Sequence, residues 1–285
     1  MKLIKNLNIL IVGLGLLGGS YAKGLKKLGF YVSAITKEQE SVDYGINNGI
    51  IDYGTTEIES DIINKADIVI FSLYPHIFTD WVEKNQQYFK SGAVLTDVTG
   101  VKGCVVEKIQ SILRKDVEFI SAHPMAGKEV SGVENSDDGI FKGANYIVVP
   151  TEKNTPEAIE LCKNIGELLG FKQVVELSVE EHDRMIAFLS QLTHCLAVSL
   201  MCSNNTPGLE KYTGDSFRDL TRIARINDEM WSELFLSNKE ALLLEMDKFR
   251  SSFDELYCKI KNSDRDGMRE MMRLSTKRRK IFDKN

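Results

Sequence analysis

The stretch that decides the fold is ILIVGLGLLGG, residues 9–19, close to the start of the printed sequence. Its first four apolar residues predict a buried strand, and three glycines follow at the spacing Gly13-x-Gly15-x-x-Gly18. In this pattern Gly13 permits a tight turn, Gly15 lets a pyrophosphate approach the backbone, and Gly18 lets the next helix pack against the strand. The first turn of that helix offers free N–H groups to phosphate. The stretch therefore predicts a strand–turn–helix unit that binds a dinucleotide.

Short apolar runs alternate with helical patterns through the first part of the chain. The predicted strands are Asn8–Val12, Tyr31–Ile35, Ile68–Ser72, Val94–Asp97, Glu118–Ser121, Tyr146–Val149 and Gln173–Glu176. The predicted helices between them are Leu16–Leu28, Phe78–Phe89, Val101–Leu113 and Pro156–Leu169. Repeated strand–helix–strand units predict parallel strands joined by right-handed crossovers, and hence a doubly wound α/β sheet of the Rossmann type.

Strand patterns cease after about Leu177. The predicted helices of the second part are Val179–Cys202, Phe217–Ile226, Glu229–Ile260 and Arg265–Phe282. We therefore expect a dinucleotide-binding Rossmann domain over residues 1–177 and an all-helical domain over residues 178–285. Many large apolar side chains lie in this helical part, which favours burial between two copies of the chain as well as within one. The helical domain is thus expected to form the interface of a homodimer.

Composition narrows the functional classes. The 285 residues carry a formal net charge of −5, which argues against nucleic acid as the main partner. No run reaches the ~18 consecutive apolar residues of a membrane-spanning helix, so no membrane partner is expected. Five scattered cysteines without CxxC spacing favour a reducing cytoplasm, with neither a disulfide framework nor a metal site.

The end of the second predicted strand bears on which dinucleotide binds. An acidic side chain at this position usually holds the ribose 2′-hydroxyl of NAD. This chain has Thr36 and Lys37 there, which suit a 2′-phosphate better, so NADP is favoured over NAD; Glu38 is close enough to restore an NAD site. The residues expected to contact the cofactor are Gly13, Gly15, Leu16, Leu17, Gly18, Thr36, Lys37, Ser72 and Thr99.

Two further stretches fall at the carboxyl ends of predicted strands, where doubly wound sheets bind ligands. They read DVTGVKG at residues 97–103 and SAHPMAG at residues 121–127. Pro124 disfavours helix for His123 and ends the strand, so the imidazole is expected to project into the cleft. A group that titrates near neutral pH beside a nicotinamide is a candidate general base.

Five stretches, in order along almost the whole chain, resemble the TyrA family of prephenate and arogenate dehydrogenases. They are GLGLLGG at 13–19, DVTGVKG at 97–103, HPMAGKEVSG at 123–132, SQLTH at 190–194 and DLTRIA at 219–224. The resemblance implies a homodimeric, NAD(P)-dependent enzyme of tyrosine biosynthesis. Its reaction would be the oxidative decarboxylation of prephenate to 4-hydroxyphenylpyruvate.

The same resemblance implies roles for individual side chains. His123 would accept the proton of the ring 4-hydroxyl while C4 gives a hydride to the nicotinamide, and loss of CO2 would aromatise the ring. Arg222 would bind a substrate carboxylate as a bidentate fork, and His194 would contact the substrate side chain. The other substrate-binding residues it implies are Glu129 and Asp219, which would shape or gate the pocket, and Ser190.

One position departs from the family pattern. The family commonly has a serine just before the Val-Lys of DVTGVKG, bonded to the catalytic histidine, and this chain has Gly100 there. Thr99, one residue earlier, is the hydroxyl that could take its place beside His123. We therefore count Thr99 with His123 as a candidate catalytic residue.

The residues themselves leave other interpretations open. The arginines of DLTRIA and its flanks, Arg218, Arg222 and Arg225, could form a solvated basic face, although Asp219 is placed to hold the Arg222 guanidinium. His194 stands among apolar residues and could be a core histidine.

The two remaining histidines carry less weight. His182, near a helix start, is expected to face solvent or to cap the helix. His76 follows a predicted strand and could line the cofactor cleft.

Other functions also remain open from the sequence. An arogenate dehydrogenase would differ only at the side-chain end of the substrate. A β-hydroxyacid or 6-phosphogluconate type of dehydrogenase would use a lysine from the helical half, whereas our interpretation places a histidine on the sheet side. A nucleotide-sensing protein without catalysis is favoured only by Gly100.

Overall fold

The structure is a computed structural model that describes residues 7–283. Its strands are β1 (Asn8–Val12), β2 (Tyr31–Ile35), β3 (Tyr53–Thr55), β4 (Ile68–Phe71), β5 (Val94–Asp97), β6 (Glu118–Phe119), β7 (Ser121–Pro124), β8 (Asn145–Val149) and β9 (Gln173–Glu176). Its helices are α1 (Leu16–Lys27), α2 (Gln39–Asn47), α3 (Ser60–Lys65), α4 (Pro75–Asn85), α5 (Val106–Ile112), α6 (Pro156–Leu168), α7 (Val179–Ile186), α8 (Leu192–Cys202), α9 (Asp215–Thr221), α10 (Asp228–Ser237), α11 (Lys239–Lys261) and α12 (Arg265–Arg279).

The first six strands form one parallel sheet in the order β3-β2-β1-β4-β5-β6. Because β1 lies between β2 and β4, the strand order reverses beside the glycine turn, which is the point where such sheets bind a dinucleotide. Apolar side chains of β1 alternate between the two faces. Ile9 and Ile11 pack on one side with α1, whereas Leu10 and Val12 pack on the other with α4. The predicted α/β class with a Rossmann-type sheet is confirmed.

The strand predicted at Glu118–Ser121 is in fact two strands. Glu118 and Phe119 complete the parallel sheet as β6, and after Ile120 the chain continues as β7 in a second, three-stranded sheet, β7-β8-β9. There β7 pairs antiparallel with β8, so this part departs from the all-parallel expectation. The step between the sheets matters because it places β7, which contains His123, beside the carboxyl end of β5, where Ala122 bonds Asp97. The short elements β3, α2 and α3 had no sequence prediction.

Neither of the two long helices expected in the second part is a regular α-helix throughout. Between α7 and α8 the residues Ala187–Gln191 form a π-helical turn, so Val179–Cys202 is continuous but not a regular α-helix. The predicted helix Glu229–Ile260 ends at Ser237 and restarts at Lys239, with the buried Asn238 between. Within residues 7–283, Val179–Cys202 is the one segment long and apolar enough to cross a membrane by length and composition alone. Core helices of soluble proteins share these properties.

The chain divides into two compact units by its internal contacts, one ending at Asn238 and the other beginning at Lys239. The first contains both sheets and α1–α10, and the second contains α11 and α12. All elements of the site described next belong to the first unit. The expected domain boundary after residue 177 stays a prediction.

Candidate active site

The glycine turn after β1 has the geometry of a phosphate site. Gly13 has a φ of +95°, and a Cβ there would collide with the backbone carbonyl of Ser72. A Cβ at Gly18 would overlap the carbonyl oxygen of Gly13, whereas one at Gly15 would meet nothing within 4 Å. The backbone at Gly15 therefore faces open space, and α1 begins there without a side-chain cap or an acidic residue in its first turn. Free N–H groups and an open approach fit the pyrophosphate of a dinucleotide.

The side chains at the end of β2 form a small polar group. Thr36 is buried, and its Oγ1 lies 3.3 Å from Oε2 of Glu38. The Lys37 Nζ lies 3.4 Å from the other oxygen of Glu38, on a side chain that is 87% exposed. The predicted ribose-binding residues thus lie together, with a cation and an anion side by side. Ser72, also predicted to bind the cofactor, lies against the glycine turn.

A buried ion pair lies under the carboxyl end of β5. The Nζ of Lys102 lies 2.9 Å from Oδ2 of Asp97 and donates to the carbonyl oxygen of Ala122 at 2.6 Å, and neither charged side chain is exposed. The other oxygen of Asp97 accepts from Ser121 Oγ at 2.6 Å. These bonds tie the DVTGVKG turn to β7, and so they fix the backbone immediately before His123.

Thr99 belongs to this buried cluster and not to the histidine. Its Oγ1 donates to Asp97 Oδ2 and lies 3.1 Å from the carbonyl oxygen of Val101. The expectation that Thr99 replaces the missing serine beside His123 is therefore wrong. The turn places the threonine hydroxyl on the inner side, where the Asp97 carboxylate attracts it, and the ring of His123 bonds elsewhere.

The partner of His123 is a second histidine. Nδ1 of His123 lies 2.9 Å from Nε2 of His182, and Nδ1 of His182 lies 2.7 Å from Oδ1 of Asp183. Asp183 also accepts hydrogen bonds from the backbone N–H groups of Lys102 at 2.9 Å and Gly103 at 2.7 Å. We call this chain, His123–His182–Asp183, the histidine relay. His182 is fully buried, whereas His123 is partly open.

Burial and neighbouring charges hold both histidines neutral. Burial lowers the pKa of His123 well below its ordinary value of 6.5, and His182 and Lys102 lower it further. Burial also lowers the pKa of His182, although its bond to Asp183 opposes the change. For Asp183, burial acts to raise the pKa, but hydrogen bonds from His182, Gly103 and Lys102 leave it below its ordinary value. The relay at neutral pH is thus two neutral imidazoles on a carboxylate.

The sequence prediction for His182, that it faces solvent or caps a helix, is wrong. Ser178 and Glu181 supply the cap of α7 through a reciprocal capping box. His182 instead shares the buried face of α7 with Ile186, four residues on. That i, i+4 spacing was the available signal, because residues four apart lie on one face of a helix. No local sequence pattern around Asp183 predicts that it bonds backbone N–H groups 80 and 81 residues away.

Arg222 and Glu129 form an ion pair at the outer side of the site. The guanidinium Nη1 bonds Glu129 Oε1, on the segment that follows His123. The expectation that Asp219 holds the Arg222 guanidinium is wrong, since the partner comes from 93 residues away. The Asp219 carboxylate has no hydrogen bond or ion pair within residues 7–283. Arg222 lies in the short 3-10 turn Arg222–Ala224, which directly follows α9.

His194 lies beside this ion pair. Its ring stacks on Trp231 with centroids 3.7 Å apart, and its Nδ1 donates to the carbonyl oxygen of Ser190 at 2.9 Å. Burial lowers the pKa of His194, and the charges of Glu129 and Arg222 act on it as well. His194 is half-buried and is therefore not the core histidine that the sequence left open. The π-helical turn before α8 provides the Ser190 carbonyl. Trp231 was not predicted to belong to the site.

The structure brings three of the predicted substrate-binding side chains close together. Arg222 bonds Glu129, which lies on the segment that follows His123 in the chain. The charges of Arg222 and Glu129 both act on the pKa of His194. Among the described residues, no group of three or more histidine, cysteine or acidic side chains could hold a metal ion. The site combines a glycine turn open to a dinucleotide, a neutral histidine at the end of a strand, and an exposed arginine. These features define a nicotinamide-dependent dehydrogenase that acts on an anionic substrate.

Comparison with known proteins identifies the family. The model for the prephenate dehydrogenase nucleotide-binding domain matches residues 21–175, and that for the prephenate dehydrogenase dimerization domain matches residues 178–274. The chain belongs to the prephenate dehydrogenase family. Membership of this family excludes the β-hydroxyacid or 6-phosphogluconate type of dehydrogenase that the sequence had left open.

Individual relatives agree with this assignment. A prephenate dehydrogenase of Bacillus subtilis is 30% identical over 91% of this chain and 72% of its own length. A cyclohexadienyl dehydrogenase of Zymomonas mobilis is 27% identical over 95% of this chain and 94% of its own length. A crystal structure of the A. aeolicus prephenate dehydrogenase with hydroxyphenyl propionate and NAD+ is 34% identical, with a TM-score of 0.90 over 99% of this chain and 100% of that one.

Proposed function

We propose that this chain is a prephenate dehydrogenase in which His123 is the general base, oriented by the histidine relay. The reaction is the oxidative decarboxylation of prephenate to 4-hydroxyphenylpyruvate, with NAD or NADP as oxidant. The observation that carries the assignment of the base is the unbroken hydrogen-bond chain from His123 through His182 to Asp183, beside the DVTGVKG turn. A bound nicotinamide dinucleotide supplies the hydride acceptor.

The relay fixes which nitrogen of His123 is free. An ionised Asp183 can only accept, so Nδ1 of His182 must carry a proton and Nε2 of His182 must accept. Its neighbour, Nδ1 of His123, therefore donates. The lone pair of His123 is left on Nε2, the nitrogen outside the relay, and the depressed pKa keeps that lone pair free at neutral pH.

This arrangement suits removal of the proton from the substrate hydroxyl. As the 4-hydroxyl of the ring loses its proton to Nε2 of His123, C4 releases a hydride. The bond from the ring to its carboxylate then breaks, its electron pair completes the aromatic ring, and CO2 leaves. The positive charge that develops on His123 spreads toward Asp183 through the two imidazoles. A charge-assisted hydrogen bond of this kind stabilises the developing imidazolium.

Arg222 is the proposed partner of a substrate carboxylate, with Glu129 as its partner while no substrate is bound. The Arg222 side chain is 63% exposed and that of Glu129 is 41% exposed, so both are accessible to a ligand. His194 and Ser190 are proposed to contact the side-chain end of the substrate, and Asp219 to shape the entrance.

We propose the following cofactor contacts. The pyrophosphate would lie on the first turn of α1 and the adenosine ribose at the end of β2. The residues involved are Gly13, Gly15, Leu16, Leu17, Gly18, Thr36, Lys37, Ser72 and Thr99, with Thr99 acting through the backbone because its hydroxyl is engaged. NADP remains favoured through Lys37, against the opposing charge of Glu38.

The proposed assembly is a homodimer through a helical domain of residues 178–285, following the Rossmann domain of residues 1–177, in the cytoplasm. The dimerization-domain match supports this proposal. So do the apolar side chains of the second unit, of which Phe253, Tyr257, Ile260 and Met272 are each more than half exposed. Light scattering on the purified chain tests it: a monomer at micromolar concentration would contradict the proposal.

A turnover assay tests the function. The purified protein is mixed with prephenate or arogenate, each with NAD or NADP, and the absorbance of the reduced cofactor is followed. We expect turnover with prephenate, and a preference for arogenate would change the substrate but not the base. His123→Asn should still bind both ligands and lose about 10²–10⁴-fold in kcat. A His123→Asn variant that retains wild-type kcat would refute the assignment of the base.

A further inference from the structure

A single glutamate joins the cofactor side of the first unit to the substrate side. Glu233, on α10, receives a hydrogen bond from the backbone N–H of His76 at 2.9 Å, and its second oxygen lies 2.8 Å from Nδ1 of His76. The Glu233 side chain is 21% exposed, whereas that of His76 is 58% exposed. Nearby, Asn227 Nδ2 donates to the hydroxyl of Tyr74 at 3.3 Å. The two bonded segments are 153 to 157 residues apart in the chain.

The segment that Glu233 holds is a wall of the dinucleotide site. Residues 72–76 run from the end of β4 into the first turn of α4. The Ser72 carbonyl and the Leu73 side chain lie directly against Gly13, where the glycine turn begins. We call residues 72–76 the cofactor wall. A dinucleotide that occupies the glycine turn must therefore contact or order this wall.

The helix that carries Glu233 reaches the substrate side at the same time. Trp231, two residues before Glu233, stacks on His194. Leu234, the next residue, lies within 3.6 Å of the Cβ position of Gly100, and its carbonyl accepts from Gln191 at 2.8 Å. Asn238, which ends the helix, donates to the carbonyl of Asp183 in the histidine relay at 2.9 Å. Consequently α10 cannot shift without moving groups that surround the base and the substrate.

We propose that Glu233 is a positioning residue that couples occupancy of the dinucleotide site to the placement of Trp231 and His194. The inference rests on the proposed function only for the identity of the ligands. Ordering of the cofactor wall by a dinucleotide acts through His76 and Glu233 on α10. The helix in turn holds Trp231 on His194. Coupling of this kind makes each ligand bind more tightly when the other is present, typically by about 5- to 150-fold.

Trp231 itself can report the coupling without any substrate. The chain has two tryptophans, and Trp81→Phe leaves Trp231 as the single emitter; Trp81 packs among Phe71 and Phe89, so an aromatic replacement keeps that contact. The probe is ADP-ribose or its 2′-phosphate, whichever calorimetry shows to bind more tightly. Neither contains a nicotinamide that could touch Trp231 directly. We expect the probe to change the Trp231 emission.

Two variants in the Trp81→Phe background separate coupling from mere packing. Glu233→Ala should bind the probe with a dissociation constant within about threefold of the parent and yet lose the emission change. His76→Leu keeps the backbone N–H bond to Glu233 and loses the imidazole bond, so it should lose part of the emission change. Glu229→Gln is the matched control, since Glu229 is an exposed acid on the same helix whose carboxylate has no partner among the described residues. This control should behave as the parent does.

A second measurement uses both ligands in a complex that cannot react. The dissociation constant of the reduced cofactor is measured with and without saturating prephenate, and the ratio is the coupling factor. We expect a ratio of at least about five in the parent and in Glu229→Gln, and a ratio within twofold of unity in Glu233→Ala. An unchanged emission response in both Glu233→Ala and His76→Leu would overturn the proposal, whatever the turnover assay shows. So would equal losses in Glu229→Gln and Glu233→Ala.

Discussion

Replacement of His182 by phenylalanine and by glutamine should separate the two functions of an imidazole at this position. Phenylalanine fills a similar volume but can neither accept from His123 nor donate to Asp183. Glutamine offers a carbonyl oxygen and an amide N–H at one end of its side chain, so it can accept from His123 and donate to Asp183 in the same sense as His182 does. The relay geometry therefore predicts that the two substitutions have different effects on kcat.

The magnitude follows from the bond that is lost. In the phenylalanine variant, the active tautomer of His123 leaves its Nδ1–H without an acceptor in a buried position. Such an unpaired donor costs about 1–3 kcal/mol. At about 1.4 kcal/mol for each factor of ten, kcat should fall about 5- to 150-fold. The glutamine variant should remain within about threefold of the wild type, and His123→Asn should be slower than the phenylalanine variant or as slow.

The assay is steady-state turnover at saturating prephenate and cofactor, with cofactor binding measured separately by calorimetry. Cofactor affinity should be unchanged in both variants, because the glycine turn is untouched. Far-ultraviolet circular dichroism and thermal unfolding check that His182→Phe is folded. If the phenylalanine variant keeps kcat within threefold, or if the glutamine variant loses as much as the phenylalanine variant, the relay does not orient the base.

Three further results are expected. In the pH profile of kcat/KM, the midpoint of the acidic limb should lie below pH 6.5, because the lowered pKa of His123 keeps the base of the free enzyme neutral in mild acid. A midpoint at or above pH 6.5 would contradict this. Lys37→Gln should weaken NADP binding about two- to fivefold relative to NAD, as expected for one exposed ion pair of about 0.4–1 kcal/mol, and calorimetry with both cofactors measures the ratio. Thr99→Val should lower the free energy of unfolding in urea by about 1–3 kcal/mol, since a buried hydroxyl that donates to Asp97 is lost, with Thr193→Val on an exposed site as the control.

The fold could be predicted because its signals are local. The ILIVGLGLLGG stretch contains the strand, the turn and the helix start within eleven residues, and each apolar run of the parallel sheet is a continuous short segment. The break at Ile120 was missed for the opposite reason. Nothing between Val117 and Ser121 marks a change of sheet, because both β6 and β7 are buried and extended. Only the pairing of β7 with β8, 22 or more residues further along, sends it into the second sheet.

The same distinction between local and distant signals applies to the site. His123 could be found from its strand end and its proline, both adjacent in sequence. Its partner is 59 residues away on a helix that begins with a complete cap, so the local pattern around His182 was already explained without any buried role. The local reasoning was misleading at Arg222 as well. A carboxylate three residues before it suggested an ion pair, yet the pair in the structure comes from a different segment.

That difference bears on the proposed binding of a substrate carboxylate by Arg222. Asp219 and Arg222 are three residues apart in one continuous segment and would move together, whereas Glu129 and Arg222 lie on separate segments that can part. The pair is 63% and 41% exposed, and an ion pair at such a surface contributes about 0.2–1 kcal/mol. A substrate carboxylate that offers the guanidinium a bidentate contact can therefore displace Glu129 at small cost. Under this proposal the segment after His123, up to Glu129, would be free to adjust around a bound ring, while the buried relay and the Asp97–Lys102 pair keep His123 in place.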